Sequence, residues 1–304
     1  MLKIMNRESI SLAFKGLQDH ICNALELTDG RSLFQEDLWD RAEGGGGRTR
    51  IIQDGAVIEK GGVAFSEVFG PVTEIMKKQL GLDGNSFFAT GVSIVLHPFN
   101  PFVPIIHMNV RYFELDTGVF WFGGGIDLTP HYIFPSQAKS FHEALKMVCD
   151  QFDRDAYHKF KLWADDYFFI PHRDETRGVG GIFFDHLGAD SGHTKEEIFE
   201  FCIALGKLFP IVYEEQVNLG KNKSFGEENL RWRNLRRGRY VEFNLVNDRG
   251  TKFGLLSGGR TESILMSLPK NANWEYNYQP ETTSNEALTL SFLRKHIDWL
   301  NIEV

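Results

Sequence analysis

Two stretches of the chain place polar side chains on every second residue, and these side chains are suited to chemistry. The first stretch holds Ser93 and His97, and the second holds His107, Asn109 and Arg111. Because successive side chains of a strand point to opposite faces, we expect two strands that each have one apolar and one polar face. If the strands pair as an antiparallel hairpin, a register with His97 opposite His107 also sets Ser93 opposite Arg111. The pattern favours a binding or catalytic face over an ordinary exposed one.

Histidines raise the question of a metal site, and the candidates are His97, His107, His142 and His172. Their spacing matches neither a zinc finger nor an H-E-x-x-H helix, so the spacing indicates a metal only weakly. His142, alone on a predicted helix, is typical of a structural histidine. His97 and His107 form the better pair, as metal ligands, as proton donors or as hydrogen-bond partners of an acidic substrate.

Arginines lie beside three of the four glycine-rich stretches, which are residues 44–47, 123–125, 178–181 and 258–259. Glycine allows a ligand to approach the backbone closely, and Arg binds carboxylates through two parallel hydrogen bonds. Arg48, Arg50, Arg177 and Arg260, together with Arg111, therefore predict an anion site. Since no stretch matches a dinucleotide fingerprint or a phosphate loop, carboxylates are favoured over phosphates.

The net charge and the cysteines exclude several classes of protein. A net charge of −8 argues against a general nucleic-acid or membrane-surface binder. Cys22, Cys149 and Cys202 form no C-x-x-C pair, which argues against a disulfide framework, an iron–sulfur cluster and a cysteine zinc site. The start lacks an apolar signal segment, and no run is long enough to span a membrane. We expect a soluble, cytoplasmic protein.

The elements that must position these residues can be predicted from periodicity. Helices are predicted over about residues 6–27, 71–81, 136–152 (with Ser136 as N-cap), 153–168, 194–218 and 285–300. Besides the hairpin, strands are predicted over about 50–69, 118–128, 182–184, 239–247, 251–256 and 260–268, with a turn at 248–250. Because tight turns join the strands more often than helical crossovers, we expect an α+β fold: a large antiparallel β-sheet flanked by α-helices on both faces, in a single domain over 1–304.

Longer motifs in the sequence match those of a known family. They are AEGGGGR at 42–48, HPFNP at 97–101, HMNVRYF at 107–113, WFGGGIDLTP at 121–130, HRDETRGVGG at 172–181, GRYVEFNLVNDRG at 238–250 and SGGRTESILMSLP at 257–269. In this order they resemble oxygen-dependent coproporphyrinogen III oxidase, and the resemblance runs from about residue 10 to 299.

The resemblance implies a substrate, an oxidant and a partner. The substrate is coproporphyrinogen III, a reduced tetrapyrrole with four propionates, of which two become vinyl groups to give protoporphyrinogen IX for haem synthesis. Molecular oxygen is the oxidant, and no organic cofactor is needed. The resemblance also implies a homodimer that uses about residues 240–275. We expect the dimer contact to include the strands predicted in this region.

The resemblance also implies roles for individual residues. The substrate-binding positions are Ser93, Asn109, Val110, Arg111, Gly258, Gly259 and Arg260. His107 is the implied proton donor, and a divalent metal, if one is bound, is held by His97, His107, His142 and His172. In our interpretation Asp248 accepts a pyrrole proton, and Arg249 or Arg260 neutralises the propionates.

Two other functions are compatible with the same residues. A non-catalytic tetrapyrrole carrier would use the arginine and glycine face without consuming oxygen. Without the family motifs, the histidines would suggest an oxygenase with a histidine-bound metal. Oxygen uptake with release of carbon dioxide excludes the carrier, and turnover after exhaustive chelation excludes the metal oxygenase.

Overall fold

The computed structural model describes residues 5–81, 83–256 and 259–303. In these ranges a seven-stranded antiparallel sheet has the order β1-β2-β3-β4-β5-β6-β9, and β7 and β8 form a separate pair. The strands are β1 (Gln35–Asp40), β2 (Gly45–Gln53), β3 (Ile58–Pro71), β4 (Ser86–Pro98), β5 (Ile105–Leu115), β6 (Phe120–Thr129), β7 (Phe169–Ile170), β8 (Glu175–Thr176) and β9 (Gly180–Gly188).

Nine α-helices lie within the described residues. They are α1 (Arg7–Asp29), α2 (Glu74–Leu80), α3 (Pro135–Phe152), α4 (Ala156–Tyr167), α5 (Lys195–Gly220), α6 (Glu227–Glu242), α7 (Arg249–Leu256), α8 (Thr261–Leu265) and α9 (Asn285–Ser291). A π-helix over Phe243–Asn247 follows α6 directly. The capping box of Thr194 and Glu197 opens α5 as the sequence predicts. The predicted N-cap at Ser136 is wrong, because α3 begins at Pro135 and its N-cap is Phe134, two residues before Ser136.

The two faces of the sheet are covered differently. The even-numbered side chains of β4 and β5, such as Ile94 and Met108, pack in the main core with α1, α3 and α5. On the other face, Tyr240 of α6 packs on Val95 and Ile105, and Phe253 of α7 packs on the aromatic end of the sheet. The predicted α+β fold with helices on both faces is confirmed. On the second face the odd-numbered polar side chains of β4 and β5, such as Ser93 and Asn109, are partly accessible.

The hairpin is present, but its predicted register is wrong. Ser93 lies opposite Asn109, Val95 opposite His107, and Gly91 opposite Arg111. The error is a shift of two residues. Because strand side chains alternate, such a shift keeps every polar side chain on the same face.

The strands predicted between residues 239 and 268 are wrong, since the end of α6, the π-helix, α7 and α8 take their place in the described part of this segment. The basic run of α6 pairs with carboxylates from distant parts of the chain: the buried Glu59 contacts Arg237, and the half-buried Glu175 contacts Arg236. Period-two alternation over nine residues does not report such tertiary pairing. The predicted final helix is also too long, since α9 ends at Ser291.

Candidate active site

The accessible face of the sheet, which we call the open face, carries the polar side chains of β4 and β5. Along β5, His107, Asn109 and Arg111 are each half-buried, and the residues between them are buried. Ser93 of β4 is also half-buried and lies beside Asn109. Val110 is fully buried in the main core on the other side of the sheet, so its side chain does not reach the open face.

His107 is held by a buried carboxylate on the neighbouring strand. Asp127 of β6 lies directly opposite His107, and its Oδ1 is 2.7 Å from His107 Nδ1. Arg177 Nη2 donates to both oxygens of Asp127, at 2.7 Å each. Burial alone would raise the pKa of Asp127, but the charge of Arg177 and the hydrogen bond from His107 outweigh burial and lower that pKa. An ionised carboxylate only accepts, so His107 carries its proton on Nδ1 and keeps Nε2 for a ligand.

Arg177 is buried in a cage of aromatic rings. Its guanidinium carbon lies 4.4 Å from the ring centroid of Phe168, 4.7 Å from that of Tyr240 and 4.6 Å from that of Phe243. These cation–π contacts, with the Asp127 pair, compensate a positive charge that is removed from water. The cage explains how an arginine can support His107 from below the surface. Arg177 is thus a supporting residue and is not accessible to a substrate carboxylate.

Arg111 lies flat on the sheet because its neighbours are small. A Cβ at Gly123 would come within 2.8 Å of Arg111 Nη2 and 2.5 Å of Asp185 Oδ1. Arg111 Nη2 pairs with Asp185 at 2.9 Å, and its Nη1 donates to Asn109 Oδ1 at 2.9 Å. The side chain of Arg111 stays 37% exposed, so it can reach a carboxylate above the sheet.

Small residues from β3 to β6 form a floor around these polar groups. In the row that contains Asn109, the paired residues are Ala64, Ser93 and Gly125, and the next row holds Ser66, Gly91 and Gly123. A sheet face with short side chains gives space for a broad, flat ligand. The open face therefore combines a broad floor, a fixed histidine and an accessible arginine.

Asp248 lies between the π-helix and α7, not at the predicted hairpin turn. Its Oδ1 accepts from the hydroxyl of Tyr167 at 2.8 Å, and its Oδ2 accepts from the backbone N–H of Thr251 at 2.6 Å. Asp248 is therefore the N-cap of α7. It is half-buried, and Arg249 beside it is exposed. Both belong to the helices that border the open face.

The last predicted binding segment borders the same face near β2. Arg260 precedes α8 and pairs with Asp37, and Ser263 of α8 lies 3.0 Å from the hydroxyl of Thr49. Thr49 belongs to the row of Ser93, because it pairs with Ala64. A Cβ at Gly259 would lie 2.8 Å from the backbone oxygen of Gly254, so a side chain at this position would crowd α7. Gly258 lies outside the described residues.

The four predicted metal ligands are not brought together. His142 lies in the main core with both ring nitrogens engaged, by the Tyr157 hydroxyl and the Val179 carbonyl at 3.0 Å each. His97 is fully buried, with its Nε2 2.8 Å from the carbonyl of Ser267. His172 is largely exposed beside Glu242. Across the described parts of the chain, no three His, Cys, Asp or Glu side chains are grouped to hold a metal ion.

The glycine-flanking arginines divide between the two sides of the sheet. Arg48 and Arg50 both pair with Asp19 of α1, at 2.7 and 2.8 Å, so they lie on the side of the main core. They do not join Arg111 on the open face. The anion-binding candidates among the predicted arginines are therefore Arg111, Arg249 and Arg260.

Sequence reasoning missed three residues that complete the site: Asp127, Asp185 and Tyr167. Asp127 follows a glycine run and lies two positions from Gly125, which is a signal for the same strand face. Asp185 lies two positions after Phe183 on β9, and this spacing likewise places the two side chains on the same strand face. Tyr167 ends a helix, and nothing in its spacing points to Asp248.

The sheet, its floor of small residues and the fixed His107 together form a candidate active site that suits an anionic substrate. A family model for coproporphyrinogen III oxidase matches residues 9–299. The chain therefore belongs to the coproporphyrinogen III oxidase family. It is 48% identical over 307 residues to an oxygen-dependent coproporphyrinogen-III oxidase of Prochlorococcus marinus strain NATL1A, covering 93% of this chain and 88% of the relative. A relative of the same name from strain NATL2A is 47% identical with the same coverage.

Proposed function

We propose that this chain catalyses the oxygen-dependent oxidative decarboxylation of two propionates of coproporphyrinogen III, giving protoporphyrinogen IX for haem synthesis. The observation that carries the proposal is the hydrogen bond between His107 and Asp127, which Arg177 holds in turn, beside a floor of small residues. Membership of the oxidase family supports the chemistry. The broad floor suits a macrocycle better than a small acid.

The propionates are proposed to bind the arginines at the two ends of the open face. Arg111 is accessible near β9, and Arg260 is accessible near β2. Their present partners, Asp185 and Asp37, are partly exposed, so a substrate carboxylate can compete with them. Ser93 and Asn109 lie between the two arginines and are proposed to contact the macrocycle.

Asp248 is the proposed base for a pyrrole N–H. Loss of that proton makes the pyrrole electron-rich enough to react with molecular oxygen, and His107 Nε2 is proposed to handle protons at the reacting oxygen. Each propionate then gives up carbon dioxide, one proton and two electrons as it becomes a vinyl group, and oxygen accepts the electrons. Arg249 is proposed to offset the negative charge near Asp248. The protein supplies position and charge, because the substrate supplies the electrons.

A divalent metal held by the four histidines does not fit these residues. His142 has no free ring nitrogen, and it lies in the main core, away from the open face. His97 is fully buried, and its Nε2 lies 2.8 Å from the carbonyl of Ser267. We therefore derive no step through a metal.

We propose a homodimer, supported by exposed apolar side chains beside the active site, which are Leu245, Val246, Leu255 and Leu256. The dimer contact, which the sequence predicts through strands of residues 240–268, is now proposed to form through the helices of this segment.

In the described ranges no helix is long and apolar enough to cross a membrane. Free, buried cysteines support a reducing compartment such as the cytoplasm, and a core shared by α1 and Trp299 supports one domain.

Incubation of the purified chain with coproporphyrinogen III in air and under nitrogen tests this function. We expect protoporphyrinogen IX and carbon dioxide in air, with oxygen uptake, and unchanged substrate under nitrogen. Tight binding without oxygen uptake would identify a carrier and contradict the proposal. Treatment with a chelator should leave turnover unchanged.

A further inference from the structure

A tyrosine at the end of α4 connects the floor of the open face with Asp248. The ring of Tyr167 stacks on Phe183 of β9, with centroids 4.1 Å apart and an interplanar angle of 13°. Phe183 lies at the edge of the floor, because it pairs with Gly125 in the row of Asn109. The hydroxyl of Tyr167 reaches Asp248 Oδ1 at 2.8 Å.

The carboxylate of Asp248 is held by two donors from different elements. One is the Tyr167 hydroxyl, and the other is the N–H of Thr251 in the first turn of α7. Two hydrogen bonds on separate oxygens fix the plane of a carboxylate, whereas the bond from α7 alone would leave it free to turn with that helix. Burial and the nearby charge of Asp248 raise the pKa of Tyr167, so the hydroxyl remains a donor.

We propose that Tyr167 is a positioning residue of the reaction, which holds the Asp248 carboxylate in register with the sheet floor. The inference rests on the proposed role of Asp248 as base. Tyr167 itself has no contact with the reacting atoms in this assignment. Its ring is anchored by aromatic contacts with Phe183, Phe168 and Phe243, so loss of the hydroxyl alone need not move the ring.

The test compares two tyrosines of the same helix. Tyr167→Phe removes the hydroxyl and keeps the ring. Tyr157→Phe is the matched control, because its hydroxyl bonds His142 at 3.0 Å in the main core. We expect Tyr167→Phe to lower kcat about tenfold or more with KM almost unchanged. The variant loses a hydrogen bond to a charged group that acts in the chemical step and not in substrate binding. Tyr157→Phe should leave kcat unchanged.

A double variant decides whether Tyr167 acts through Asp248. In the Asp248→Asn background, Tyr167→Phe should have no further effect on kcat, because the group that it positions no longer acts as a base. Wild-type kcat in Tyr167→Phe, or an effect that multiplies with that of Asp248→Asn, would overturn the inference and leave the role of Asp248 intact. Wild-type turnover in Asp248→Asn would refute the base itself, and the inference would fall with it. Melting temperatures of all variants report whether each is folded.

Discussion

Replacing Asp127 by Asn should be strongly destabilising, because it leaves Arg177 as a buried charge without an anionic partner. Both side chains of the pair are only 2% exposed. Removing one partner of a buried ion pair costs about 3–5 kcal/mol. With an unfolding entropy of about 2.1 cal/mol/K per residue, 1 kcal/mol corresponds to about 1.6 °C of melting temperature for 304 residues, so we expect a drop of about 5–8 °C. The aromatic cage around Arg177 favours the lower end of this range.

Urea denaturation followed by circular dichroism measures this loss, and Asp185→Asn provides the control. Asp185 also pairs with an arginine at 2.9 Å, but the pair is partly exposed, at 37% for Arg111 and 25% for Asp185. Exposed pairs contribute about 0–1 kcal/mol, so the control should be almost as stable as wild type. A double variant, Asp127→Asn with Arg177→Met, should be less destabilised than the sum of the single variants. Equal stability of Asp127→Asn and Asp185→Asn would refute the reasoning.

Three further predictions concern other parts of the chain. His142→Phe should cost about 1–3 kcal/mol in urea denaturation by leaving two buried groups unpaired, with kcat unchanged; lost turnover in folded protein would contradict this. Arg260→Ala should lower kcat/KM at least about tenfold with little change in melting temperature, since Asp37 is its exposed partner; normal kinetics would remove Arg260 from the site. Asp29 accepts four backbone N–H groups, which outweigh burial and lower its pKa. Its stabilisation is therefore present above the unfolded pKa of about 3.9 and is lost as the pH falls through the folded one, so wild type and Asp29→Asn should converge in stability below about pH 4.

The polar face of the hairpin could be predicted from the sequence because alternation is a local property. Ser93, His107, Asn109 and Arg111 lie on one face in any register that differs by an even number of residues. The register itself depends on the linker and on the neighbouring strands, which a period of two does not describe. The same limit explains why Asp127, on the next strand, was missed.

The helical segment after residue 226 could not be predicted from periodicity alone. Its side chains form ion pairs with residues far away in the sequence, such as Arg237 with Glu59. The same error misplaced Asp248 in the prediction. As an N-cap that is hydrogen-bonded to Tyr167, Asp248 has a defined orientation that a residue in an exposed turn would lack. The family motifs identified the residue, and the structure shows what holds it.

Occlusion of the open face tests the central claim most directly. Ala64 lies on the floor beside Ser93 and is half-buried, so Ala64→Trp would place an indole where the macrocycle is proposed to bind. The measurement is the dissociation constant of coproporphyrinogen III by calorimetry under nitrogen, with Leu12→Trp on the exposed side of α1 as control. We predict that Ala64→Trp raises the dissociation constant at least about tenfold, equivalent to 1.4 kcal/mol, and that the control does not. An unchanged dissociation constant in folded Ala64→Trp would show that the substrate binds elsewhere.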